Sequence, residues 1–147
     1  MLDCIKFKKH DIEAVIPTLA NKYEVGFDLT VISKIKDINS TTSMYETGIS
    51  VQPPEGFYFE IVPRSSLSKT GYMLTNSIGI IDPTYRGTIK VVITKVCDDA
   101  PEFELPNKRF QLIPRIHLSS DLKIQEVSEL DETYRGDGGF GSTDNSN

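Results

Sequence analysis

Residues 76–93 read NSIGIIDPTYRGTIKVVI, two short apolar runs with a link between them that contains proline and glycine. Runs this short, rich in isoleucine and valine and broken by Pro83 and Gly87, suit β-strands and leave no room for a helix of ten or more residues. The spacing predicts a hairpin, with Asp82 at its mouth and Tyr85 at its crest. An aspartate in such a link is ordinarily a turn former. It becomes a candidate to accept a proton or orient water where a substrate sits above it.

The rest of the chain repeats the pattern. GFDLTVI (26–32), TGISV (47–51), FYFEIV (57–62), RFQLI (109–113) and LKIQEV (122–127) are also short, β-branched or aromatic, and several alternate apolar with polar residues. Eight prolines and ten glycines punctuate them. Only 65–70 and the acidic patch 128–132 suit a helical turn. Many short strands at this spacing predict an all-β sandwich, jelly roll or small barrel.

Length and composition set limits. The 147 residues suit one domain, and 38% hydrophobic with 25% charged is ordinary for a globular chain. No run approaches the ~18 apolar residues of a membrane span and MLDCIKFKKH lacks a secretory h-region, so the expectation is an intracellular, unsecreted protein of cytoplasm or nucleus with no membrane partner. Cys4, Cys97, His10 and His117 lack metal-ligand spacing. A net charge of −5 disfavours stable nucleic-acid binding and makes the arginines near Ser65 and in the C-terminal tail local anion sites.

Three clusters carry anion chemistry. In VPRSSLSKTG (62–71), Arg64 follows a proline at a strand end and precedes two hydroxyls, a polar turn suited to phosphate oxygens or to capping. Gln111 in RFQLI is a neutral amide that can donate to a phosphate or sit at a strand edge. The tail YRGDGGFGSTDNSN (134–147) combines Arg135, four glycines, Phe140 and a Ser-Thr pair. Its glycines let main-chain N–H groups approach an anion, Arg135 offers a fork of donors, and Phe140 offers a stacking face. Gly136, Gly138 and Gly141 spell GxGxxG, but too few residues follow for the helix that a dinucleotide fold requires. The composition equally suits a disordered terminus.

In order, these segments resemble the trimeric dUTPase family, the deoxyuridine triphosphate nucleotidohydrolases. GFDL (26–29), PRSSL (63–67), NSIGIIDPTYRG (76–87), RFQLI (109–113) and RGDGGFGST (135–143) are similar to its five motifs. The resemblance implies a jelly-roll-like or distorted β-barrel subunit, spanning residues 1–134, in a homotrimer with shared active sites. Residues 135–147 would then form a glycine-rich tail closing a site on neighbouring subunits. The implied reaction is water attack on the α-phosphorus of dUTP to give dUMP and pyrophosphate, limiting uracil incorporation into DNA and supplying dUMP for thymidylate synthesis.

By the same resemblance Asp82 activates the water. Asn76, the backbone of Gly79, Ile80 and Ile81, and the strand at Lys90 read uracil, and Tyr85 lies under the deoxyribose. Arg64, Ser65, Ser66 and Gln111 hold the α- and β-phosphates. Arg135, Gly141, Ser142 and Thr143 close on the γ-phosphate while Phe140 stacks on the base. Mg²⁺ rides on the triphosphate, with Asp28 as a candidate water-mediated partner. Phe110 departs from the family's usual small residue before the glutamine, and Asp144 replaces a common glycine. The alternatives are a related dCTP deaminase, against which the complete tail argues, and a trimeric nucleotide-binding regulator.

Overall fold

The computed structural model describes residues 4–139, and among them the chain forms β-strands and short 3-10 turns but no α-helix. The strands are β1 (Lys6–Lys9), β2 (Phe27–Val31), β3 (Ser33–Asp37), β4 (Thr42–Glu46) and β5 (Ile49–Gln52). They continue with β6 (Phe57–Pro63), β7 (Tyr72–Leu74), β8 (Gly79–Ile81), β9 (Lys90–Lys95) and β10 (Asn107–Ile116). A two-stranded sheet pairs β1 with β5. One four-stranded sheet runs β2-β10-β6-β8 and a second runs β3-β4-β9-β7. All pairings are antiparallel, and the sheets stay open rather than closing into a barrel. The arrangement is jelly-roll-like.

Alternation along the strands builds one core shared by the sheets. Leu29 and Val31 from β2, Phe59 and Ile61 from β6, Phe110 and Leu112 from β10, Val91 and Ile93 from β9 and Ile49 and Val51 from β5 all turn inward. Each such large side chain contributes on the order of 1.5–3 kcal/mol through removal from water. Phe110 is fully buried and lies 6.4 Å from the Phe103 ring centroid. Its bulk therefore faces the core, while its neighbour Gln111 projects from the other side of the sheet. Pro114 is tolerated within β10 because the pairing with β2 ends at Leu112.

Three expectations are corrected. Residues 76–93 are not a hairpin: β8 pairs with β6, β9 pairs with β4 and β7, and DPTYRG crosses from one sheet to the other. The link is closed locally by the Tyr85 N–H on the Asp82 carbonyl at 3.0 Å. LKIQEV (122–127) is exposed and unpaired, because its alternation finds no partner strand among the described residues of the same protomer. No helical turn forms over 128–132, whereas Ser65–Lys69 is a 3-10 turn.

Candidate active site

The DPTYRG link and the strand before it line a cleft of about 210 Å³. Asn76, Gly79, Ile80, Ile81, Asp82, Tyr85 and Lys90 all border it, together with Ile61 and Ile89. Along it runs the edge strand β8, whose outer side pairs with no other strand among the described residues. Along such an edge the outward main-chain N–H and C=O groups stay available for a ligand, so the pattern of a planar base can be read by backbone alone. The approach to β8 is bent by Ser77, a non-glycine residue at φ 61°, with the Ile78 N–H on the Asn76 carbonyl at 2.6 Å.

Asp82 is exposed at the end of β8, and its carboxylate makes no side-chain hydrogen bond among the described residues. It is therefore open to water. The Tyr85 hydroxyl donates to the Thr88 carbonyl at 3.0 Å, laying the ring across the link. This seat requires Gly87, where a Cβ would stand 2.4 Å from Tyr85 Oη and 2.6 Å from Cζ. Lys90 turns its ammonium to Thr88 Oγ1 at 2.9 Å.

A second cluster forms where β2, β10 and β6 meet. Asp28 and Gln111 are cross-strand partners and so project from the same face. Arg64, just beyond β6, donates through Nη1 to Asp28 Oδ2 at 3.1 Å and to the Lys108 carbonyl at 3.1 Å. Gln111 Nε2 reaches the Pro63 carbonyl at 3.4 Å, and Gly26 packs beneath it, since a Cβ there would stand 2.2 Å from Gln111 Oε1. Ser65 and Ser66 open the 3-10 turn, anchored by Arg109 Nη1 on the Ser66 carbonyl at 3.5 Å. Arg64 and Gln111 are thus held at the junction of these strands, with Ser65 and Ser66 next to Arg64 in the chain, residue types that suit phosphate oxygens.

The two clusters are not merged. None of Asp28, Arg64, Ser65, Ser66 or Gln111 lines the Asp82 cleft. Arg135 is engaged in a local turn, with Nε on the Gly138 carbonyl at 3.0 Å, and it touches neither cluster. Phe140, Gly141, Ser142 and Thr143, with Asp144, lie outside the described residues. Among the described residues no group of three or more His, Cys, Asp or Glu could hold a metal. Asp28 gives one oxygen to Arg64 and keeps the other for water, a donor set that suits contact through the water shell of Mg²⁺ rather than a protein cage. No helix among those residues is long and apolar enough to cross a membrane.

The sequence reading does not single out the Glu46–Thr88 contact or the close approach of Gly87 to Tyr85, and although Gly26 stands in GFDL, its closeness to Gln111 is visible only in the fold.

The sequence profile of the dUTPase family matches residues 12–144. The chain belongs to the dUTPase family. A deoxyuridine 5'-triphosphate nucleotidohydrolase of Arabidopsis thaliana is 37% identical over 138 residues, covering 94% of this chain and 81% of that protein. One from Clostridioides difficile is 34% identical over 140 residues, covering 95% and 96%. Among solved structures, the Staphylococcus bacteriophage 80alpha dUTPase with dUPNHPP superposes with a TM-score of 0.79 at 19% identity, covering 96% of this chain and 98% of that one. A mutant dUTPase from phage phi11 of S. aureus, described with a structural Mg(II) ion, superposes at 0.71 with 16% identity, covering 88% and 100%.

Proposed function

We infer that the chain hydrolyses dUTP to dUMP and pyrophosphate, in sites shared between the subunits of a homotrimer. Family membership carries the reaction. The observation that carries the site is the single cleft lined by Asn76, Gly79, Ile80, Ile81, Asp82, Tyr85 and Lys90. Uracil docks on the open edge of β8, where fixed main-chain donors and acceptors distinguish it from cytosine, and thymine is disfavoured by the extra room its methyl needs. The Tyr85 ring underlies the deoxyribose and excludes a 2'-hydroxyl.

Asp82 orients a water against the α-phosphorus and takes its proton, while the bond to the bridging oxygen breaks and pyrophosphate leaves. Arg64, Ser65, Ser66 and Gln111 receive the α- and β-phosphates. Arg64 exchanges Asp28 for phosphate, a trade of one anionic partner for another. Mg²⁺ carried by the triphosphate would supply charge neutralisation, and Asp28 would accept hydrogen bonds from its water shell. Arg135, Gly141, Ser142 and Thr143 close on the γ-phosphate, with Phe140 on the base, and residues 135–147 act as a lid ordered by the ligand. Catalysis is chiefly positioning and electrostatics.

The separation of the Arg64 cluster from the Asp82 cleft supports a site that needs two subunits, and a short polar tail closing it supports a third. The test is to incubate the purified chain with Mg²⁺ and dUTP, dCTP, dTTP or UTP and to assay pyrophosphate and ammonia. Pyrophosphate from dUTP alone is expected. Ammonia from dCTP would mark a deaminase, and tight dUTP binding without pyrophosphate would mark a regulator.

A further inference from the structure

Glu46 ends β4 opposite Lys90 of β9, and both of its oxygens are engaged. Oε1 accepts from the main-chain N–H of Thr47 at 2.9 Å and of Gly48 at 2.8 Å, which fixes the turn into β5. Oε2 accepts from the Thr88 hydroxyl at 2.8 Å and faces the Lys90 ammonium at 3.8 Å. Lys90 in turn donates to Thr88 Oγ1 at 2.9 Å. Thr88 is thus held between a carboxylate and an ammonium, and hydrogen bonds to charged groups are the stronger kind. The carbonyl of this same residue receives the Tyr85 hydroxyl at 3.0 Å and Lys90 Nζ at 3.3 Å.

The contacts form one chain of support, from the β4–β5 turn through Glu46 and Thr88 to the ring of Tyr85. Tyr85 needs it. The residue is 43% exposed and belongs to a link between sheets, so core packing does not fix the ring. The Thr88 carbonyl and the bare face of Gly87 define its seat.

We propose that Glu46 is a positioning residue for sugar discrimination, acting through Thr88 to fix the carbonyl that anchors Tyr85. It touches no substrate atom. The proposal rests on the reading of Tyr85 as the residue beneath the deoxyribose. Loss of the support lets the ring swing on its exposed side, which opens room for a 2'-hydroxyl. UTP gains relative to dUTP.

Two substitutions cut the link from opposite ends. Glu46→Gln keeps an amide oxygen for the Thr47 and Gly48 N–H groups and turns an NH₂ donor toward Thr88 and the Lys90 ammonium. Thr88→Val removes the hydroxyl at constant shape and leaves the turn contacts of Glu46 alone, so it remains informative should Glu46→Gln fail to fold. Full-length wild type, both variants, their double mutant, Thr88→Ser and Tyr85→Ala are assayed with Mg²⁺ for kcat/KM on dUTP and UTP, alongside thermal melts.

The dUTP-over-UTP ratio is expected to fall about tenfold in each of the two single variants, the size expected of one charge-assisted hydrogen bond. It falls little further in the double mutant, since both changes break one link, and Thr88→Ser keeps the wild-type ratio. A lower melting temperature with an unchanged ratio in Glu46→Gln and Thr88→Val, while Tyr85→Ala lowers the ratio, overturns the proposal and leaves Glu46 as a turn anchor. An unchanged ratio in Tyr85→Ala removes the sugar reading itself, and the proposal goes with it.

Discussion

Replacing Gly87 by alanine isolates the seat of Tyr85 from the stability of the fold. A Cβ at this position would lie 2.6 Å from Tyr85 Cζ and 2.4 Å from Oη, whereas carbon atoms in contact settle at roughly 3.5–4.0 Å. The ring tip must retreat by about 1 Å, which takes the hydroxyl out of its 3.0 Å bond to the Thr88 carbonyl. Stability should hardly change. Gly87 is exposed, its backbone is outside the left-handed region, and the clash is relieved by a half-exposed side chain. Alanine also reduces the freedom of the unfolded chain, worth about 0.4–1 kcal/mol in favour of folding. Function should change much more, because a misplacement of about 1 Å costs on the order of a hundredfold in rate, or about 2.8 kcal/mol of barrier. Steady-state kcat/KM for dUTP and UTP, with thermal melts on the same preparations, reads both effects. A Gly87→Ala protein with wild-type turnover and wild-type preference for dUTP would refute the reasoning that the ring needs this seat.

Three further outcomes are expected. Asp82→Asn should keep the fold and dUTP binding but lose turnover by orders of magnitude, each tenfold loss being about 1.4 kcal/mol of barrier; near-normal turnover would remove Asp82 from its role. Deleting residues 135–147 should leave a folded protein with little activity, and full activity in the truncated chain would show that the tail takes no part. Acid stability should depend on Glu60, held below the usual glutamate range first by the hydrogen bond from Arg115 at 2.9 Å, with burial opposing and the Tyr58 hydroxyl adding to it. Its contribution is present above the unfolded pKa of about 4.3 and is lost as pH falls through the lower folded value. Melting temperature against pH should fall less steeply below about pH 4.3 in Glu60→Gln, and an unaltered slope would exclude the pair as a source of acid sensitivity.

Strands whose residues alternate and enter the core were legible: β2, β5, β6, β9 and β10 each carry an apolar face. β1 and β3 were not, since KFKK offers one half-buried phenylalanine and SKIKD is exposed throughout. These strands exist through pairing with β5 and β4, which local propensity does not encode. The converse error is Leu122 to Val127, a strand-like pattern with no pairing partner among the described residues of the protomer. The hairpin expectation for residues 76–93 failed for the same reason, because β8 finds its neighbour in β6 rather than in the next strand along the chain. At the site, residue types and order pointed to the Asp82 cleft and the Arg64 cluster. The Asp28–Arg64 ion pair and the Glu46–Thr88 bond join residues 36 and 42 positions apart, and only the folded chain brings them together.

A site divided between subunits is tested most directly by mixing two inactive variants, Arg64→Ala and Asp82→Asn. Each alone lacks one half of every site. After denaturation and refolding together, with mixed assemblies verified by differential tags, a site that takes Arg64 from one subunit and Asp82 from a neighbour is intact when both draws are correct. Random assortment makes that about one quarter of all sites. Hydrolysis of dUTP should return to about a quarter of the wild-type rate. No recovery in verified mixed assemblies would contradict the account, because it would mean that Arg64 and Asp82 serve the same site only from the same chain.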